Sequence, residues 1–358
     1  MDTPLNILMV ARSNLFALPG GDTLQVEQTM RHLEARGHQV ALHLKTTRVD
    51  DAPYDVIHHF NLGRPEDHLP LLRRWKKPVV LSTNYVDYSE YESRQDMPFP
   101  RNLLQQLSPP ARERVKALGR RLAAGKLPNY TLLRHSHTAA LQRTLQRAAA
   151  TITTSAAEAT RIERTLGPLR NNHIIPLGVD HALFQEAEQS RSGVVIAGRI
   201  EGLKNQLTAL QALKNRAIPV TIAGGASANH QAYYKECLHT GAGWATFLPH
   251  QSPKALADLF LRAQVVLIPS WFETFGLVAA EAGFSGARVV LTERADTYPD
   301  WKNLVWGCDP SNPNSIARAV SEALNAPKTP SWESLKSLLN WNTVAASTEA
   351  VYRSVIQP

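Results

Sequence analysis

Apolar residues in this chain come in short runs, and many of these runs are followed by a stretch with helical spacing. "LNILMVA" (5–11) precedes "LQVEQTMRHLEARG", "AATITTS" (149–155) precedes "AEATRIERTLG", and "GVVIAGR" (193–199) precedes "NQLTALQALKN". "HQVALHL", "YDVIHHF" (54–60), "KPVVLST" (77–83), "IPVTIAGG" (218–225), "WATFLPH", "QVVLIPS" and "ARVVLTE" are further runs of strand length. Strands separated by helices pair in parallel, so the pattern predicts α/β architecture. The runs fall into two series joined near 176–190, which predicts two doubly wound domains. Ligands of such folds sit beyond the carboxyl ends of the strands. The strand-to-helix loops are therefore where chemistry is expected.

A chain of 358 residues is long enough for two such domains, each with its own core. The start, "MDTPLNILMVARSN", lacks a basic region followed by a sustained apolar stretch, so no signal peptide is expected. No run reaches the roughly 18 apolar residues of a membrane span. Cys237 and Cys308 have neither metal-like nor disulfide-framework spacing, and a reducing cytoplasm is the expected compartment. The 13 histidines include "HH" and "HSH" but no zinc pattern. Between Ala111 and Arg147 nine lysines and arginines, Arg112 and Arg114 among them, stand against Glu113 alone, so this stretch accounts for the formal net charge of +8. Such a segment suits a polyanionic partner or a solvated helical face. Nucleic acid is not expected, since Tyr130 is the only aromatic residue there to stack on bases.

Two carboxylates stand out in "PSWFETFGLVAAEAGFSG" (269–286). Glu273 lies in the loop after a strand. Glu281 is about one turn into the next helix, where its neighbours at i−4, i−3 and i+3 are Leu277, Val278 and Phe284. An unpaired carboxylate on such a face costs several kcal/mol. Either a nearby backbone satisfies it or a hydroxyl-rich ligand does, and sugars and riboses are such ligands. Gly276 permits close backbone approach, and the helix starting near Leu277 offers free N–H groups to an anion. In "GRIEGLKN", Arg199 follows a strand and Lys204 precedes a helix, a placement that suits a phosphate or diphosphate. "LPGGDT" is a Gly20–Gly21 turn after the first strand, which reads as a phosphate nest or as a plain tight turn.

With these residues in place, the chain resembles the GT-B glycosyltransferases of family four, a retaining group that uses nucleotide-sugar donors. The resemblance rests on the E-x7-E motif "ETFGLVAAE", on "GRIEGLKN", on "IIPLGVDHALF", and on "PGG" before a helix ending in "RGHQV". It implies two Rossmann-like domains facing a cleft. The expected boundaries are 1–176 on the acceptor side and 177–340 for the nucleotide sugar, with a helix at 341–358 returning to the first domain. It further implies that Arg199 and Lys204 bind the donor diphosphate and that Glu281 binds the ribose. By the same resemblance Glu273 meets the transferred sugar, the backbone of Phe275, Gly276 and Leu277 contacts the donor, and Gly20 and Gly21 lie near the phosphates. A histidine is expected at the end of "VIHHF", where His58 and His59 both qualify, and Asn84 stands near another position that usually holds histidine. Two departures are clear: "EAGFSGARVV" stands for the family's "EAMACGxPVV", with Arg288 at the proline, and "TERADTYPDW" replaces a Gly-Gly loop.

The implied activity is transfer of a hexose-type sugar, with retention, to a glycan or lipid-linked acceptor, without a cofactor and without a metal. Peripheral docking of the 111–147 stretch on an anionic inner membrane face is expected alongside it. Two alternatives are a nucleotide-sugar epimerase and a non-catalytic sugar-nucleotide-binding protein. A glycosidase reading of the two glutamates fits less well, because glycosidases seldom need a diphosphate site.

Overall fold

The computed structural model describes residues 3–17, 19–44, 53–63, 72, 75–86, 88–92, 111, 115, 118, 119 and 137–356. The chain divides into two compact units, Met1–Pro176 with Trp341–Pro358, and Leu177–Asn340. Each is built on a six-stranded sheet, and every strand pair is parallel. This is the α/β, doubly wound architecture the alternating pattern predicts.

In the first unit the strands are β1 (Asn6–Val10), β2 (Gln39–His43), β3 (Val56–Phe60), β4 (Val79–Ser82), β5 (Ala150–Thr153) and β6 (Asn172–Ile174). They lie in the order β2-β1-β3-β4-β5-β6. Helices α1 (Gly21–Ala35), α2 (His137–Arg147) and α3 (Ala156–Leu166) connect them. β3, β4 and β5 are buried along their whole length. The basic stretch lies mostly outside the described residues; of its nine cations only Arg143 and Arg147, on α2, fall within them.

The unit is completed by a helix from far along the sequence, Trp341–Ile356, which packs on α1. Two polar clusters fasten it. His58 sits on β3 with Nδ1 2.6 Å from the Tyr352 hydroxyl and Nε2 2.8 Å from Ser82 Oγ. Burial lowers its pKa to about 3, so the ring is neutral at any ordinary pH. Burial also works to raise the Glu349 carboxyl, but hydrogen bonds from Arg36, Arg353 and His38 outweigh it and hold it at about 2. The Leu5 N–H donates to His38 Nδ1, which leaves the proton on Nε2, facing Glu349.

The second unit contains β7 (Ser192–Ala197), β8 (Val220–Ala223), β9 (Ala245–Leu248), β10 (Ala263–Ile268), β11 (Arg288–Thr292) and β12 (Trp306–Cys308). Their order is β12-β11-β10-β7-β8-β9. The longer helices are α4 (Gln206–Leu213), α5 (Gln231–Gly241), α6 (Pro253–Arg262), α7 (Leu277–Phe284) and α8 (Pro313–Asn325), and the returning helix is then α9. α6 starts where the sequence signals it: the Ser252 side chain accepts from Ala255 N–H, and Pro253 opens the first turn.

Two of the departures in "EAGFSGARVV" have a packing cause. A Cβ at Gly283 would stand 2.2 Å from the Trp332 indole, so glycine is what admits that ring against α7. Trp332 also packs edge-on to Trp301, with centroids 5.2 Å apart. Arg288, at the family's proline position, donates to the carbonyls of Ala323, Leu324 and Ala326 and so satisfies the end of α8. Gly283→Ala is expected to destabilise the protein by about 1–3 kcal/mol through overpacking, read as a lower urea midpoint with an unchanged slope.

Candidate active site

The strand order of the second unit reverses direction between β7 and β10, its topological switch point. Such a point leaves a crevice beyond the carboxyl ends of the two strands. The loops that rim it are Gly198–Asn205 after β7 and Pro269–Gly276 after β10. These hold Arg199, Lys204, Glu273, Phe275 and Gly276.

The two loops are tied together. Trp271 N–H donates to Leu203 O at 2.8 Å. Buried Asn205, with a left-handed φ of 60°, donates from Nδ2 to the carbonyls of Pro269 and Pro310. Lys204 Nζ lies 2.6 Å from Glu273 Oε1, which also accepts from Ser270 Oγ at 2.6 Å. Both bonds fall on Oε1, so Oε2 has no hydrogen-bond partner among the described residues. The backbone of Glu273 is fixed as well: it bridges to Ala295, and its carbonyl accepts from Asp296 N–H at 2.9 Å. The "TERADTYPDW" segment thus braces the site loop, and Thr297 Oγ1 adds a bond to the Phe275 carbonyl.

Gly276 caps α7 with φ 78° and ψ 48°, a conformation that costs other residues about 1–2 kcal/mol. A Cβ there would have ordinary room, so backbone conformation, not crowding, is what calls for glycine. The helix opens with no side-chain cap, leaving its first N–H groups available. Leu277 is its first residue and is half-buried.

One turn on, Glu281 is 6% exposed. Its carboxylate has no hydrogen-bond partner among the described residues, and burial pushes its pKa up to about 8. Two other buried carboxylates of the chain are treated differently. Glu158 accepts from Thr83, Tyr85 and twice from Thr154, and Glu349 is gripped by two arginines. A buried polar group without partners is uncommon and calls for an explanation. The backbone-bonded alternative for Glu281 is not what the structure shows.

Arg199 is exposed and pairs at 2.9 Å with Glu201, a residue the sequence reading passed over. Asn205 was missed too, since "KN" before a helix reads as an ordinary boundary. In the first unit, neither Gly20 nor Gly21 has a positive φ, so the turn lacks the alternating handedness of a nest. Gly20 is extended, its N–H donates to Thr23 Oγ1, and α1 starts at Gly21. A Cβ at Gly21 would meet nothing within 4 Å, so the space before it is open. His58 has both ring nitrogens engaged within the unit, as described. His59 is equally buried, on the other face of β3, with its ring 6.4 Å from that of Trp75. Asn84 has φ 42° and donates to Gln25 Oε1 on α1. Among the described residues no group of three or more His, Cys, Asp or Glu is placed to hold a metal, and no helix is long and apolar enough to cross a membrane.

Residues 184–335 match the sequence model of glycosyl transferases group 1, a span that lies within the unit that carries this site. Among curated proteins the chain is 29% identical over 219 residues to glycogen synthase of Mycobacterium tuberculosis (strain CDC 1551 / Oshkosh), covering 56% of this chain and 53% of that protein. The chain therefore spans about half the length of the curated relatives it matches. Among solved structures it resembles sucrose-phosphate synthase from Thermosynechococcus elongatus, with TM-score 0.77, 18% identity, and coverage of 98% of this chain and 99% of that one. It also resembles HepE of Anabaena, solved in complex with UDP and glucose, with TM-score 0.71, 16% identity, and coverage of 98% and 100%. These likenesses establish the GT-B fold.

Proposed function

We propose that the chain transfers a hexose-type sugar, with retention, from a nucleotide diphosphate sugar to a hydroxyl of a glycan, glycolipid or other acceptor. The observation that carries this reading is Glu281: a buried carboxylate with no partner of its own, on the helix that follows the switch-point loop. Ribose hydroxyls would supply the donors it lacks. On the loops that rim the switch point, Arg199, Lys204 and the uncapped start of α7 offer positive charge to a diphosphate. Glu273 Oε2 is open to the hydroxyls of the transferred sugar. HepE, a neighbour in fold, was solved with UDP and glucose, which supports a nucleotide-sugar donor for this chain too.

As the bond from the anomeric carbon to the diphosphate breaks, negative charge grows on the leaving oxygen. Arg199, Lys204 and the α7 N–H groups stabilise it as fixed charges and dipoles, without a metal. The acceptor hydroxyl attacks from the face the diphosphate leaves, and the departing phosphate accepts its proton. The 111–147 stretch docks the protein on an anionic membrane surface; salt-sensitive sedimentation with anionic vesicles is the expected result.

The test is a thermal-shift screen of UDP-, GDP- and ADP-sugars. A donor present at 100 times its Kd adds about 2.7 kcal/mol of stability. The expected result is a rise in Tm with one nucleotide class, and no change of the sugar when that donor is incubated alone. An altered sugar without an acceptor would identify an epimerase instead, and no stabilisation by any donor would overturn the reading.

A further inference from the structure

Arg199 is an awkward group to build a binding site on. Its side chain is 52% exposed, and a long guanidinium in water samples many rotamers that a ligand must freeze out. The structure supplies a tether. Glu201, two residues on, has a side chain only 11% exposed, and its Oε1 lies 2.9 Å from Arg199 Nη2. Its other oxygen is 3.7 Å from Nε2 of His230. The Glu201 carbonyl accepts the Lys204 N–H at 2.9 Å, so one residue contacts both cationic positions of the loop.

His230 comes from a different loop, the β8–α5 connection, and the two loops are pressed together. A Cβ on Gly224 would stand 1.9 Å from the Gly198 carbonyl, and Ile200 N–H donates to Gly225 O at 3.0 Å. Glu201 is thus buried where the two loops meet, while Arg199 reaches outward from it. The ion pair uses one end of the guanidinium fork, and an arginine has five N–H donors, so the rest of the fork remains for an anion.

We infer that Glu201 is a positioning residue, which holds Arg199 where the donor diphosphate meets it. The inference rests on the donor reading above. The competing idea, that Glu201 is a plain counter-charge, predicts the opposite sign. Removing a counter-charge strengthens anion binding, whereas removing a tether weakens it. With Arg199 half in water, the freed charge is screened, and loss of orientation dominates.

UDP, GDP and ADP are titrated by calorimetry, and the tightest binder is kept together with its nucleoside, followed by NMR. Glu201→Gln is expected to raise the Kd of the diphosphate about tenfold while leaving the nucleoside unchanged. Arg199→Ala is expected to do the same, and the double variant to be no worse than Arg199→Ala alone. Tighter or unchanged diphosphate binding by Glu201→Gln would overturn the inference. So would equal weakening of nucleoside and diphosphate, or additivity with Arg199→Ala, since both mark a general loss of structure. Failure of all three diphosphates to bind the unaltered protein would instead remove the donor reading itself.

Discussion

Lys204→Ala is expected to lower the rate of sugar transfer by about 10²–10³ while shifting stability by no more than about 1 kcal/mol. The two numbers have different origins. In the ligand-free protein Lys204 is one half of a partly exposed ion pair with Glu273, and such pairs contribute about 0–1 kcal/mol. Ser270 remains on the same oxygen to hold Glu273 in place. During the reaction the ammonium would face a charge that develops on the leaving diphosphate, and loss of one preorganised donor at such a charge costs about 10²–10³ in kcat. Turnover measured beside Tm on the same preparation checks the separation. A folded variant within tenfold of the original rate would remove Lys204 from the reaction.

Glu281→Gln should move two properties in opposite directions. In the ligand-free protein the Glu281 pKa is pushed to about 8, against an ordinary value near 4.5. Between these values the folded chain holds a proton that the unfolded chain has released. Stability from this residue is therefore lost as pH rises through that window, by up to about 1.4 kcal/mol per unit. Below the window both states are protonated and no penalty exists; above it the penalty is complete. Glutamine does not titrate, so the variant should match the original protein near pH 4, below the window, and exceed its stability at pH 8. Nucleotide affinity should fall at least tenfold, because the carboxylate that receives the ribose hydroxyls is gone. Denaturant midpoints at pH 4, 6.5 and 8 settle the first claim: parallel curves would mean that Glu281 is not the stressed group described here.

The parts of this architecture that depend on local pattern were legible in the sequence. Buried strands such as "QVVLIPS" and "KPVVLST" carry their own signal, and the apolar neighbours of Glu281 foretell its burial. What escaped is what distant residues decide. That His58 has both ring nitrogens engaged depends on Tyr352, 294 positions away, as well as on Ser82. The reason for Gly283 is Trp332, and the burial of Glu201 depends on the loop that carries His230. "RIEGLK" alone reads as a solvated turn. The switch point follows from strand order, which no local window contains. The shortest strands, Asn172–Ile174 and Trp306–Cys308, are three residues each, too brief to show a period.

The α9 helix has a consequence for biosynthesis. His58, Arg36 and His38 are made early, but Tyr352 and Glu349 emerge only after Leu177–Asn340 has been translated. At about 5–20 residues per second, that intervening stretch takes roughly 8–33 s. Until then the nascent first unit carries an open seam on its α1 side. A ribosome-stalled chain ending at Pro176 should accordingly be protease-sensitive along α1, and a synthetic peptide of residues 341–356 supplied in trans should protect it.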